Sequence, residues 1–132
     1  MSHFTTVQTK IHDLVTLKQA LHDLGFAFTE ATEGQRLKVR GYQKQTTEAD
    51  LVIHVSKTYD VGVRVGPQGV QFIADWWGVE TTRGLDEQAF VRLVTQKYTH
   101  RKVKQELEKR GYTLALEETT ADQTIHIQVK KF

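Results

Sequence analysis

Between Arg36 and Ala74 the chain alternates with a period of two, strand after strand, and this restricts its fold more than any other feature. Leu37, Val39 and Gly41 alternate with Arg36, Lys38, Arg40 and Tyr42. Leu51, Ile53 and Val55 alternate with Val52, His54 and Ser56; Val61, Val63 and Val65 with Gly62, Arg64 and Gly66; and Val70, Phe72 and Ala74 close the series. Successive side chains of a strand point to opposite faces, so a period of two means one covered face and one wetter face. Gly66-Pro67-Gln68-Gly69 reads as a hairpin turn, because proline presets φ and glycine supplies a permissive dihedral. A run of such strands with short turns is an antiparallel meander.

Helical periodicity brackets the meander. Leu14, Leu17, Leu21 and Leu24 form one apolar stripe, with Asp13 as N-cap and Gly25 at the left-handed stop. Phe4 to Ile11 precedes it as a strand. Asp86 opens a second helical region with Phe90, Leu93, Val94 and Leu107 inward, ended by Gly111. Its stripe loses register from Tyr98 to Lys102, which predicts a kink or break. Two short strands follow, around Leu114–Leu116 and Ile125–Val129. The segment Leu21-His22-Asp23-Leu24-Gly25-Phe26 is echoed by Leu107-Glu108-Lys109-Arg110-Gly111-Tyr112, which suggests a pseudo-twofold repeat of a helix-hairpin unit. The expected architecture is one α+β domain over residues 1–132, a mainly antiparallel sheet with two helices on one face.

Composition narrows the chemistry. The 132 residues include no cysteine, which removes disulfides, thiolate nucleophiles and thiolate metal sites. The 18 cations and 16 anions leave a formal charge of +2, too little for a whole-molecule pull toward nucleic acid or membrane. No apolar run approaches the roughly 20 residues that span a bilayer. Met1 to Lys10 lacks the basic-then-apolar pattern of an export signal, so a cytoplasmic or stroma-like setting is expected. There is no Walker loop, no dinucleotide-binding glycine fingerprint and no nucleophile elbow. The six histidines have no ligand spacing; His54 and His126 lack the third ligand zinc would want. No metal and no cofactor is expected.

Three groups of residues remain as candidates. Ala74-Asp75-Trp76-Trp77-Gly78 puts adjacent tryptophans at a strand end, where alternation sends one inward and exposes the other. An exposed tryptophan suits an interface anchor, and Asp75 beside it either caps the next turn or pairs with a cation such as Arg64. Lys57-Thr58-Tyr59-Asp60 lies between strands, and Tyr59 and Asp60 would share a sheet end with Asp75. The two carboxylates would make an acid/base pair only if they met across a cleft; an aspartate in such a loop is more ordinarily a turn former. Finally, Arg36, Lys38 and Arg40 share one side of a strand. With His54, Arg64, His126, Gln128 and Lys130 they would form a basic face, and Tyr42 would offer a ring for base stacking. Solvated sheet faces carry such cations without binding anything. The same holds for Lys97, His100, Arg101, Lys102 and Lys104, which complement a helix C-terminus.

Four segments in order, Met1-Ser2-His3-Phe4, Val39-Arg40-Gly41-Tyr42, Tyr59-Asp60-Val61-Gly62 and Ala74-Asp75-Trp76-Trp77-Gly78, resemble the hypothetical chloroplast reading frame thirty-five family of cyanobacteria and algal plastids. The resemblance runs from Met1 to about Gly111. It implies a cyanobacterial cytoplasmic or plastid-stromal setting and brings no catalytic residues with it. It directs attention to His3, Tyr42, Asp60, Asp75, Trp76 and Trp77. The leading expectation is a non-enzymatic accessory or adaptor domain that binds a protein partner through Trp76, Trp77, Asp75, Tyr59 and Asp60. One alternative is a single-stranded nucleic-acid-binding module using Arg36, Lys38, Arg40, Tyr42, Arg64 and Lys130. Another is a small ligand-binding protein or hydrolase with a pocket near Asp60 and Asp75.

Overall fold

A computed structural model describes residues 3–119 and 125–131, with side chains described as far as residue 111. In chain order the elements are β1 (Thr5–Gln8), α1 (Leu14–Asp23), β2 (Ala27–Glu30), β3 (Leu37–Arg40), a short 3-10 turn (Tyr42–Lys44), β4 (Thr46–Ala49), β5 (Leu51–His54), β6 (Asp60–Arg64), β7 (Gln71–Ala74), α2 (Trp76–Arg83), α3 (Glu87–Lys109), β8 (Tyr112–Thr119) and β9 (Ile125–Lys131).

The class is α+β, as the alternation requires. Five strands form an antiparallel sheet in the order β1-β7-β6-β5-β2. One face carries Leu51, Ile53, Val61, Val63, Phe72 and Ala74 against Leu17 and Leu21 of α1, Val79 of α2, and Phe90 and Val94 of α3. Phe90 is the hub of this core. Its ring centroid lies 5.4 Å from Phe72 and 5.7 Å from both Phe26 and Trp76, in tilted or edge-on geometries that suit aromatic quadrupoles.

The helix ends follow their capping signals. The Asp13 carboxylate accepts the Thr16 N–H and hydroxyl. Those hydrogen bonds hold its pKa down at about 2. Asp86 accepts the Ala89 N–H at 2.7 Å. Gly25 and Gly111 take φ of 80° and 82° at the helix stops, a conformation glycine adopts without a Cβ penalty. Gly69 donates to the Gly66 carbonyl, closing the expected hairpin turn.

Four expectations need correction. The sheet face away from the helices is not solvated throughout. Among the described residues, strands β3 and β4 pair only with each other, and this hairpin lies across the far face, burying Val39, Ala49 and Val52 with Phe4 and Leu37. Gly62 permits the approach: a Cβ there would sit 2.6 Å from Val39 Cγ2 and 2.9 Å from Ala49 Cβ. The alternation in β3 thus marked a second small core and not a sixth strand of the main sheet. The second correction is a third helix, α2, which starts at Trp76 where a strand end was expected, because the Asp75 carboxylate caps it. Third, α3 runs unbroken through Tyr98–Lys102. There its inner face exchanges apolar packing for polar partners on α1. The Tyr98 hydroxyl accepts the Asp13 N–H at 3.2 Å, Arg101 bridges both Asp23 oxygens at 2.6 and 2.7 Å, and Lys102 reaches Asp13 at 3.3 Å. Fourth, the two helix-glycine-aromatic segments share their stop but not their sequel. The strand after Gly25, β2, pairs with β5, whereas β8 after Gly111 forms a hairpin with β9.

Among the described residues no helix is long and apolar enough to cross a membrane.

Candidate functional site

Strand β3 leaves the hairpin core at Arg40 and enters the Tyr42–Lys44 turn. Two buried carboxylates hold this passage. Asp60, at the start of β6, and Asp75, just after β7, are each 1% exposed. Residues two apart in an extended chain direct their N–H groups the same way. The Arg40 N–H donates to Asp60 Oδ2 at 2.9 Å, and the Tyr42 N–H donates to Asp75 Oδ2 at 3.2 Å. Between them Gly41 lies directly over the Phe4 ring, where a Cβ would come within 2.6 Å of Cζ.

Asp60 takes more than one N–H from Arg40. The guanidinium donates through Nε to Oδ2 and through Nη2 to Oδ1, both at 2.9 Å. The same guanidinium reaches the Lys57 carbonyl at 2.6 Å, tying the β5–β6 turn to the hairpin. His54 Nδ1 lies 3.2 Å from Asp60 Oδ1, and its Nε2 is 2.9 Å from the Thr29 hydroxyl. Burial pushes the Asp60 carboxyl up, but the hydrogen bonds from Arg40 and His54 outweigh it, and the net shift is downward. The hydrogen bonds to the Asp60 carboxylate in turn push the Arg40 guanidinium up. Both groups are charged near neutrality and committed to one another.

Asp75 has a second duty. Its Oδ1 accepts the Gly78 N–H at 3.3 Å and so caps α2. Gly78 is required there, since a Cβ would overlap the Tyr59 ring. Burial, with Asp75 and Tyr42 nearby, pushes the Tyr59 phenol up, so it stays protonated. The cap places the two tryptophans on the first turn of α2. Trp76 is 8% exposed and donates from Nε1 to the Thr5 carbonyl at 3.2 Å. Trp77 points outward, 56% exposed, with Tyr42 beside it at 37%. Their ring centroids are 6.0 Å apart at 89°, an edge-to-face pair.

A cavity of about 550 Å³ opens beside this pair, lined by Arg40, Tyr42, Lys44, Thr46, Thr58 and Tyr59 among others. Its rim contains Gln43 and Lys44 at φ of 51° and 66°. Two successive non-glycine residues in the left-handed region are costly and persist only where the surroundings fix them. Here the Gly41 N–H to Gln45 carbonyl bond at 2.8 Å closes the loop.

The structure therefore brings together Tyr59, Asp60, Asp75, Trp76, Trp77, Arg40 and Tyr42. Of the rest of the expected basic face, Arg36 and Arg64 line one cavity of about 440 Å³, each engaged with a partner of its own. Arg36 pairs with Asp50 at 3.6 Å. Lys38 stands opposite Glu48 in the hairpin. Arg64 donates to the Glu48 carbonyl and the Thr47 hydroxyl, at 2.8 and 2.9 Å. Lys130, His126 and Gln128 have side chains outside the described residues, and His3 is exposed ahead of β1. Asp60 and Asp75 do lie at one end of the sheet, but their oxygens face the Arg40–Tyr42 backbone. Gln43, Lys44 and Thr46 escaped the sequence reading: no glycine or asparagine marks the left-handed pair, and Tyr42 read as the end of a strand. Among the described residues no group of three potential ligands could hold a metal ion.

Residues 20–128 match the family model described as a protein of unknown function, DUF1257, and the chain belongs to that family. Three relatives carry the name uncharacterized protein ycf35. The one from Guillardia theta is 32% identical over 109 residues, covering 78% of this chain and 76% of its own. Those from Pyropia yezoensis and Cyanophora paradoxa are 27% and 28% identical, each covering 100% of this chain and 98% of the relative. The resemblance drawn from the four segments is thus borne out. No solved structure matches the chain.

Proposed function

We propose that the chain acts as a single, non-enzymatic adaptor domain, in the cytoplasm or plastid stroma, which binds a protein partner through Trp77 and Tyr42. The observation that carries this reading is the exposed edge-to-face pair of Trp77 and Tyr42 on a backbone held by two buried carboxylates. An exposed tryptophan on a fixed helix turn is a preordered anchor, and little side-chain freedom is lost when it is covered. The cavity beside it, with Lys44 and Thr58 on its rim, would take a side chain of the partner. Asp60 and Asp75 favour this reading over a hydrolase, since both spend their oxygens on hydrogen bonds that hold the fold and are buried from solvent. The ion pairs of Arg36 and Arg40 weaken the nucleic-acid alternative by neutralising part of the basic face. A pocket ligand remains the second reading, because the cavity has the size of a small-molecule site.

The test is a tagged capture from native lysate at low salt, with and without nuclease, comparing wild type with Trp77→Ala. The adaptor reading expects protein partners that survive nuclease and are lost with Trp77→Ala, while the melting temperature stays unchanged. Partners that Trp77→Ala retains in full would refute it, and recovery of nucleic acid with nuclease-sensitive proteins would favour the basic face.

A further inference from the structure

The cavity of about 440 Å³ joins the β3–β4 hairpin to one end of the main sheet. The hairpin layer contributes Arg36, just ahead of β3. The main sheet contributes Gln8 of β1, Arg64 of β6, Gln71 of β7 and the turn at 66–69. Its walls are tied together. The Gly69 N–H donates to the Gly66 carbonyl at 3.2 Å, and a Cβ on Gly69 would fall 2.6 Å from the Thr9 carbonyl oxygen, so the turn is pressed onto the end of β1. Gln8 Nε2 donates to the Gln68 and Gly69 carbonyls, both at 3.3 Å, and its Oε1 accepts from Gln71 Nε2 at 3.0 Å. A pocket held this way is formed before a ligand arrives.

The charges in it are unbalanced. Arg64 donates through Nε to the Glu48 carbonyl and through Nη2 to the Thr47 hydroxyl, at 2.8 and 2.9 Å. Both acceptors are neutral. They fix the guanidinium in orientation, leave its charge without a carboxylate, and leave Nη1 available. Arg36 Nε stands 3.6 Å from Asp50 Oδ1, an ion pair too long for a hydrogen bond. Asp50 is partly spent elsewhere, since its Oδ2 accepts the Val65 N–H at 2.8 Å. Among the described residues no carboxylate lines the cavity.

We infer that this cavity binds a small phosphorylated molecule, with its phosphate monoester or diphosphate group held between Arg36 and Arg64. A carboxylate has only two oxygens, which one guanidinium fork saturates. A terminal phosphate presents three acceptor oxygens and about two negative charges, enough for two forks that approach from different layers. The volume falls within the roughly 300–1,000 Å³ of small-molecule sites, and the Gln68 and Gln71 amides line the part beyond the phosphate, where they suit hydroxyl or amide groups. A nucleic-acid backbone fits less well. It carries one charge per phosphate and needs a row of cations, and here Lys38 stands opposite Glu48 while Arg40 is held by Asp60. The inference is independent of the adaptor reading, which concerns the Tyr42–Trp77 surface.

The test is an amide NMR titration of the full chain with inorganic pyrophosphate, at constant ionic strength set by chloride, with a thymidine oligonucleotide as a second probe. Pyrophosphate should give saturable shifts confined to the amides around Arg36 and from Arg64 to Gln71. Arg36→Gln should weaken binding about tenfold or more. Arg36 is exposed, so this variant should melt with wild type in circular dichroism. Arg64→Lys, which keeps the charge and loses the fork, should weaken binding as well. Lys38→Gln removes the same charge from the hairpin outside the cavity and should leave binding nearly unchanged. No saturable shift at millimolar pyrophosphate overturns the inference. So does equal weakening by Lys38→Gln, the mark of diffuse attraction, or an oligonucleotide that binds more tightly than pyrophosphate, which would make the surface a nucleic-acid contact.

Discussion

Replacing Asp60 with asparagine tests how the site is held. The wild-type carboxylate is 1% exposed and accepts from Arg40 N, Nε and Nη2 and from His54 Nδ1. The amide has one acceptor oxygen and one donor nitrogen. With its oxygen in the Oδ2 position it keeps the Arg40 N–H and Nε bonds and turns N–H groups on Nη2 and His54. The reverse orientation loses the other two. In the first orientation His54 can switch tautomer and accept the amide N–H at Nδ1, so the Nη2 bond is the one that must fail. A hydrogen bond to a charged group contributes about 1.5–3 kcal/mol, so Asp60→Asn should cost about 2–3 kcal/mol. The full penalty for an orphaned buried charge does not apply, because the Arg40 side chain is 45% exposed and water can take over part of its solvation. At this chain length the melting temperature should fall by roughly 6–15 °C. The pH dependence provides a second, signed readout. The folded Asp60 pKa lies below its unfolded value. Its stabilisation is therefore complete above an unfolded pKa of about 3.9 and is lost as pH falls below it. Thermal melts from neutral pH down through the carboxylate range should show wild type and variant converging at the acid end. A variant that melts with wild type at neutral pH, or a gap unchanged by acid, would refute the reasoning.

Other expectations follow from single contacts. Gly62→Ala drives a methyl into Val39 and Ala49 and should destabilise by about 1–3 kcal/mol in a denaturant titration. Trp76→Ala empties a core position against Phe90 and should cost about 3–5 kcal/mol, whereas Trp77→Ala should move stability by no more than about 0.5 kcal/mol. Asp13→Ala removes the α1 cap and the Lys102 partner together. We expect a loss of about 1–2 kcal/mol by the same titration, shrinking as pH falls toward the folded value of about 2.

The sequence made the main sheet legible because its strands alternate cleanly, and the helix limits because Asp13, Asp86, Gly25 and Gly111 have local jobs that neighbours cannot override. The β3–β4 hairpin was not legible as a separate layer. Leu37 and Val39 alternate like any strand in the sheet, and only the empty Cβ position of Gly62 reveals what they pack on. The break expected in α3 failed because periodicity counts apolar side chains, while Tyr98, Arg101 and Lys102 face α1 through polar atoms. At the site, one inward and one outward tryptophan came out as expected, though helical geometry after an Asp75 cap produces it in place of strand alternation. The pairing of Arg40 with Asp60 joins residues 20 apart in the chain, and no local pattern encodes that. It engages Arg40, offered by the sequence as a nucleic-acid contact, in an ion pair with Asp60.

The central claim is that the Trp77–Tyr42 surface meets a protein partner, and site-specific photo-crosslinking tests it most directly. A photoreactive side chain is placed at position 77, and as a control at position 15, where Val15 is 61% exposed on α1. Irradiation in native lysate treated with nuclease should give a discrete protein adduct from position 77 and none from position 15. No adduct at 77, or the same adducts at both positions, would contradict the account.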